Sequence, residues 1–244
     1  MIFNMGGRVN PAKKMPEFTY SGTYTLVDDG LTESKQNWSI KFLTSGTLTF
    51  TKLGAGENGI DVFCVGGGGG APRYCGGAGG GYTKTQKAVS AAVNTPYTIT
   101  IGAGGASKTD HTNGGDGGMT SAFGVEANGG KGAIWADIRE GDASKMYAYR
   151  VGADGGSGGG GYLGAGGTDG ANGEAGESNG GGKGQGTTTR AFGESSGALY
   201  SSGGDAPGNY VEPAANTGDG APAGVSYSTP YDGGSGIVII RNAR

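Results

Sequence analysis

The chain has 244 residues, a net charge of -3 and 34% hydrophobic residues. The near-neutral charge excludes the basic surface of a nucleic-acid-binding protein, and no apolar run is long enough for insertion into a membrane. Its 59 glycines follow no Gly-X-Y period, which excludes collagen. Two cysteines, Cys64 and Cys75, are too few for a disulfide framework; we expect free thiols, with a bridge as the alternative. The opening residues lack a secretory signal, so we expect release by cell lysis.

Residues 1–16 are predicted to form an N-terminal arm. They contain Pro11, Pro16 and the basic pair Lys13-Lys14. A solvated arm and an anchor to a partner both remain open.

From residue 17 to residue 65 apolar and polar residues alternate, which is typical of half-buried strands. Turn signals such as Ser45-Gly46 and Asn58-Gly59 separate the apolar sets. The spacing predicts four strands, most simply an antiparallel sheet or half of a sandwich. The alternating residues are Phe18, Tyr20, Tyr24 and Leu26 on a first strand, then Trp38, Ile40 and Phe42, then Leu48 and Phe50, and finally the run 60–65.

Residues 66–236 hold 51 of the 59 glycines, in bursts such as 66–70. The bursts begin after one apolar, β-branched run and end before another, which is the predicted closing strand at 237–244. A flexible segment has no need of strands at both ends. We therefore interpret the region as an ordered glycine-rich structure inserted into a β framework.

Two shorter patterns lie inside this region. Tyr97, Ile99 and Ile101 alternate and predict a further strand. The motif Ala-Phe-Gly occurs twice after glycine bursts, at Phe123 and at Phe192. We interpret the two phenylalanines as equivalent plugs packed under the glycine layer, with chance similarity as the alternative.

Glycine is unfavourable in helices and strand interiors because ordering it costs the most backbone entropy. An extended left-handed helix with three residues per turn suits glycine but has no internal hydrogen bonds. Each buried N–H and C=O group must then bond to another segment. Without side chains, several such helices can pack closely, so we predict a stiff lattice whose chemistry lies in its loops.

The glycine-poor insertions 133–151, 187–202 and 209–231 are the predicted loops. Aromatic and arginine side chains on rigidly held loops are typical of contact surfaces. The alternative is that the aromatic residues fill a small core under a loop. The candidate receptor contacts are Trp135, Arg139, Tyr147, Tyr149 and Arg150 in the first insertion and Arg190 and Tyr200 in the second.

Five motifs resemble a glycine-rich domain that is common in bacteriophage structural proteins. They are SGTLTF at 45–50, GIDVFCV at 59–65 before five glycines, GGGYTK at 79–84, YTITIGAGG at 97–105 and the C-terminal signature GGSGIVIIR at 233–241. The resemblance implies an all-β fold, in which an antiparallel sheet or sandwich framework encloses a packed bundle of polyglycine II helices with almost no α-helix. The long polar insertion 133–151 departs from the simplest pattern of the family and fits an adhesin.

Related domains in phage tail-fibre adhesins place variable loops against the host surface. The resemblance therefore implies a non-enzymatic virion protein, a fibre or spike component, whose partners are a protein or glycan receptor on the host cell and other virion proteins. A structural capsid or tail decoration protein is the alternative. A trimer also stays open, although no coiled-coil heptad is present to support it.

We predict no cofactor, metal site or catalytic constellation. His111 is the only histidine, which gives little support to histidine-based triads or metal sites. Asp137, Glu140 and Asp142 are close in sequence, but such spacing is ordinary in a polar loop. A capsule depolymerase, which would need paired carboxylates in a cleft, is thus the least supported reading.

Overall fold

The computed structural model describes most of the chain. The described residues are 15–28, 37–109, 112–135, 151–161, 166–168, 180–205, 211–224 and 230–244.

Ten short strands form the regular part of the fold. They are β1 Glu17–Tyr20, β2 Tyr24–Asp28, β3 Trp38–Phe42, β4 Gly46–Lys52, β5 Ile60–Val65, β6 Thr83–Val89, β7 Pro96–Thr100, β8 Thr120–Ala122, β9 Val125–Ala127 and β10 Ile237–Asn242. The helical elements in the described part are single 3-10 turns at Gly54–Asn58, Gly186–Thr189 and Ala191–Gly193. None of the helices there has the length and apolar character needed to cross a membrane.

The strands form two five-stranded antiparallel sheets. The first sheet has the order β1-β4-β7-β8-β9, and the second has the order β2-β3-β10-β5-β6. Inward-facing apolar side chains of both sheets make one buried core, including Trp38, Phe50 and Ile240. The prediction of an all-β, antiparallel fold is confirmed. Because β6 to β9 lie within residues 66–236, the sandwich includes strands from the glycine-rich region as well as strands from residues 17–65.

The first predicted strand is wrong in one respect. Phe18 and Tyr24 were expected on one strand, but a turn at Ser21-Gly22 places them on β1 and β2, which belong to different sheets. Gly22 permits the turn, since a Cβ atom there would lie 2.8 Å from the Ser45 carbonyl oxygen. The two rings still meet across the edge of the sandwich, with centroids 5.1 Å apart.

The glycine-rich segments leave the sandwich at one end. β5 ends at Val65 and runs directly into glycine, and its partners β6 and β10 begin beside it at Thr83 and Ile237. The glycine excursions 66–82, 101–119 and 128–236 thus start and return at the same edge. The described ends of the chain lie at the opposite edge, where Asn242 pairs with Ile60 and Glu17 pairs with Lys52.

Hydrogen bonding within the glycine region repeats every third residue. Successive N–H groups from 66 to 71 donate to three different neighbouring segments in turn, with donor–acceptor distances between 2.8 and 3.0 Å. The N–H groups of residues 66 and 69 donate to the carbonyls of 82 and 79. Those of 67 and 70 donate to the carbonyls of 118 and 115, and those of 68 and 71 donate to the carbonyls of 234 and 231. Residues 77–82 repeat the pattern with segments 157–160, 218–221 and 128–131. Segments from distant parts of the sequence are therefore bonded laterally into one bundle.

Close packing of these segments excludes side chains. A Cβ atom on Gly68 would lie 2.0 Å from the carbonyl oxygen of Asp219, and one on Gly67 would lie 2.0 Å from that of Ala103. Atoms that are not bonded cannot approach so closely, and the obstacle is main chain that is itself hydrogen-bonded. Glycine is thus required at these positions by contact distance rather than by an unusual φ angle.

Residues 186–200 cover the outer face of the second sheet. Phe192 and Tyr200 are buried there against Phe63, with ring centroids 6.1 and 5.6 Å from it. Arg241 of β10 fastens this segment, because its guanidinium lies 3.9 Å from the Phe192 ring centroid and contacts Glu194. The same guanidinium also pairs with the buried Asp61 carboxylate at 3.1 Å.

The two Ala-Phe-Gly motifs share a backbone conformation. Phe123 and Gly124 have φ angles of 53° and 77°, and Phe192 and Gly193 have φ angles of 61° and 70°. Their environments differ, however. Phe123 joins β8 to β9 and packs on Tyr97 of the first sheet, whereas Phe192 packs on the second. The repeat therefore specifies a turn rather than an equivalent plug under the glycine layer.

Replacing Gly68 by alanine should lower the free energy of unfolding by about 3 kcal/mol or more, because a Cβ atom would displace bonded main chain. The matched control is Gly180→Ala, since a Cβ atom at Gly180 meets nothing within 4 Å among the residues that the structure describes. We expect the control to change stability by less than about 1 kcal/mol. Chemical denaturation of both variants is the measurement, and equal stabilities would contradict the close-packed bundle.

Candidate binding surface

The glycine excursions turn back at the end of the bundle that lies away from the sandwich. We call this end the apex, and it comprises the described residues of the loops 71–76, 106–113, 133–151 and 224–231. The direction of each segment follows from its hydrogen bonds: residues 66–71 run away from β5, and 231–234 return beside them towards β10. The apex therefore lies opposite the described ends of the chain.

Hydrogen bonds join the apical loops to one another. Pro72 and Lys108 form an isolated parallel bridge between the first two loops. The Ser107 N–H donates at 2.6 Å to a carboxylate oxygen of Asp232, which directly follows the fourth loop, and the Trp135 N–H donates to the Asn113 side-chain oxygen at 3.0 Å. Loops that are separated by more than a hundred residues in sequence thus form one contiguous surface.

Asp116 fixes the beginning of the 133–151 insertion. One of its oxygens accepts the Gly132 N–H at 2.9 Å, and the other pairs with the Lys131 ammonium at 2.7 Å. The Lys131 N–H in turn donates to the Asp154 carbonyl at 2.9 Å, so the two stems of the insertion are bonded together. The insertion is held on both sides by the glycine bundle.

The pKa of Asp116 reflects this arrangement. Partial burial acts to raise it, but the hydrogen bonds from Lys131 and Gly132 and the charge of Lys131 outweigh burial and lower the pKa. The carboxylate is therefore stabilised in its charged form.

The structure separates the predicted contact residues. Trp135 lies at the apex and is half-buried. Arg190 and Tyr200 lie beside the sandwich, where Arg190 contacts the Gly197 carbonyl and Tyr200 is only 8% exposed. The two places are at opposite ends of the glycine bundle, so these residues do not form one surface. The remaining candidates lie outside the described residues, namely Arg139, Tyr147, Tyr149 and Arg150.

Several apical residues were missed from the sequence. Arg73 and Lys108 are exposed, Tyr74 is half-buried with a φ angle of 54°, and Ile134 is 51% exposed. A signal was present, because Arg73 and Tyr74 interrupt an otherwise nearly side-chain-free stretch between residues 66 and 81. Their significance depends on knowing that the stretch is a hairpin whose tip they form.

The architecture agrees with a comparison against protein families. The model of the glycine-rich domain family matches residues 43–243, which is most of the chain. The protein belongs to the glycine-rich domain family. No curated protein matches it. The matched range includes β4 to β10 and the whole glycine bundle with its apex, while β1, β2 and β3 of the sandwich precede it.

Both cysteines of this glycine-rich domain are free and buried. Cys75 is a buried residue of the apex, and its thiol donates to the Pro72 carbonyl at 2.9 Å. Burial raises the pKa of both thiols to about 12, so neither is a reactive thiolate at neutral pH. Within the described ranges, no three His, Cys, Asp or Glu side chains form a group able to hold a metal ion.

Replacing Asp116 by asparagine should make stability depend differently on pH. A lowered pKa in the folded state means that the carboxylate stabilises the fold above its unfolded-state pKa of about 3.9, and that this contribution is lost as pH falls through the folded-state value. We therefore expect the variant to be less stable than the wild type at neutral pH and the difference to vanish in acid. Denaturant unfolding of both proteins at a series of pH values from neutral to acid measures this difference in the free energy of unfolding.

The control for this prediction is Glu126→Gln, which removes an exposed carboxylate from β9. The free energy of unfolding of this variant should differ from that of the wild type by a constant amount across the same pH range. A difference for Asp116→Asn that persists below the folded-state pKa would contradict the assignment of the stabilisation to the ion pair.

Proposed function

We propose that the protein is a non-enzymatic bacteriophage virion component, part of a fibre or spike, whose apical loops bind a receptor on the host cell. The observation that carries the proposal is the position of the apex. Four loops from the three excursions gather at the end of the glycine bundle opposite the described chain ends. This polarity suits a protein that is attached through its sandwich and exposes its apex.

The glycine bundle supplies rigidity to this arrangement. We infer that its segments are polyglycine II helices, because such a helix has three residues per turn and the hydrogen-bond partners recur every third residue. Main chain held by lateral bonds on several sides has little freedom to bend. Loops anchored on it are preorganised, so less conformational entropy is lost when a receptor binds.

The apical residues have the chemistry that contact surfaces favour. Tyr74 and Trp135 offer aromatic area, Ile134 offers exposed apolar area, and Arg73 and Lys108 offer exposed positive charge. Buried aromatic and arginine anchors contribute most of the binding energy at protein interfaces. We propose these five residues as contacts. Arg139, Tyr147, Tyr149 and Arg150 remain candidates in the insertion that follows Trp135.

A structural decoration protein is the second candidate function. The observation in its favour is the edge strand β2, where Tyr24 and Leu26 are 42% and 41% exposed. Exposed apolar side chains on an edge strand can pair with another protein. In that case the sandwich would contact a second virion protein, and the apex would have no cellular receptor.

Binding of the fluorescently labelled protein to host cells tests the proposal. We expect the wild-type chain to stain cells and to block phage adsorption. Replacing the 133–151 insertion by a Gly-Ser segment of equal length should abolish both effects, and R73A combined with K108A should reduce staining by about tenfold, as expected for two interface side chains.

The matched control is K52A combined with K87A, which removes two positive charges from exposed strand positions of the sandwich. Its staining should equal that of the wild type. If the apical variants stain cells as well as the control does, receptor binding by the apex is contradicted. Binding to purified virions without binding to cells would favour the decoration protein.

A further inference from the structure

A second concave site lies on the outer face of the second sheet, far from the apex. It has a volume of about 290 Å³ and is bounded by β3, β10 and the segment 191–200. Ser39, Lys41, Tyr200 and Arg241 are among the residues that line it.

The register of the sheet explains why cations collect here. Ser39 pairs with Arg241, and Lys41 pairs with Ile239, so the two cationic side chains come from neighbouring strands two residues apart along the sheet. Arg244 follows from the end of β10 and also lines the cavity. Three cationic residues therefore line this small cavity together with one acidic residue, Glu194.

The cations are not equally neutralised. The Arg241 guanidinium is matched by Asp61 and Glu194. The Lys41 ammonium has no ion pair or hydrogen bond within the described part of the chain, although its residue is half-buried. A cation held in a concave site without a counter-charge favours an anionic ligand.

The other lining groups suit a small polar ligand. Ser39 and Ser196, which carry hydroxyl groups, line the cavity together with Gly197 and Ala198. Burial raises the pKa of the Tyr200 phenol, which keeps the hydroxyl protonated and able to donate at neutral pH. The volume of about 290 Å³ lies just below the usual range for small-molecule sites, which suits a ligand smaller than most.

We propose that this cavity binds a small carboxylate ligand of the size of one sugar acid. Its carboxylate would lie against Lys41, and its hydroxyl groups would bond to Ser39 and Ser196. Charge-assisted hydrogen bonds are the strongest polar contacts available to such a ligand, and Lys41 is placed to donate one. This site lies on the sandwich, so it is independent of receptor binding by the apex.

Saturation-transfer NMR with the full chain and glucuronate as the probe tests the proposal. We expect glucuronate to bind and glucose, its neutral counterpart, not to bind. Lys41→Gln should weaken glucuronate binding by about tenfold, the effect of losing one charge-assisted hydrogen bond. The matched control is Lys87→Gln on β6 of the same sheet, which should bind like the wild type.

Three results would overturn the proposal. They are equal binding of glucose and glucuronate, unchanged affinity in a folded Lys41→Gln variant, and no glucuronate binding by the wild type. Acetate tests the size of the ligand: affinity equal to that of glucuronate would show that only the charge is recognised. None of these results depends on whether the protein stains host cells.

Discussion

The whole architecture depends on one interaction, the lateral hydrogen bond between main-chain segments that lack side chains. A segment such as 66–71 has no internal hydrogen bonds and donates in succession to three neighbours. Leaving those groups unpaired in a buried region would cost more than any single contact could recover. The segments are therefore stable only together, and the chain must return many times to the same bundle.

The sandwich holds the ends of the glycine segments together so that these lateral hydrogen bonds can form. Glycine segments are costly to order because their unfolded state has the most freedom. β5, β6 and β10 reduce that cost by fixing the ends of several segments side by side. Arg241 adds to this, since it joins β10 to Asp61 of β5 and to the 186–200 segment that covers the sheet. The apolar core thus positions a bundle that has almost no apolar core of its own.

Much of the framework could be predicted from the sequence. The alternation at Trp38, Ile40 and Phe42 and the run before the first glycine burst both specified real strands, because period two follows directly from strand geometry. The division of residues 17–28 between two sheets could not be predicted. A small change of direction at Ser21-Gly22 decides it, and the close approach that requires Gly22 is a tertiary contact.

Less of the candidate binding surface than of the framework could be predicted from the sequence. The composition identified the glycine-poor insertions, but it does not determine which end of the bundle each insertion occupies. Trp135 and Tyr200 looked equivalent in sequence, yet one lies at the apex and the other is buried beside Phe63. Arg73 and Lys108 come from two short loops, which only the packing of distant segments brings together at the bridge between Pro72 and Lys108.

Hydrogen exchange of individual glycine amides tests the central claim most directly. Gly67 to Gly70 are buried and hydrogen-bonded to three other segments, so their amides should exchange as slowly as those of β5 and β10. Exchange of these glycine amides at the rate of an unfolded chain, while the strands stay protected, would contradict the laterally bonded bundle.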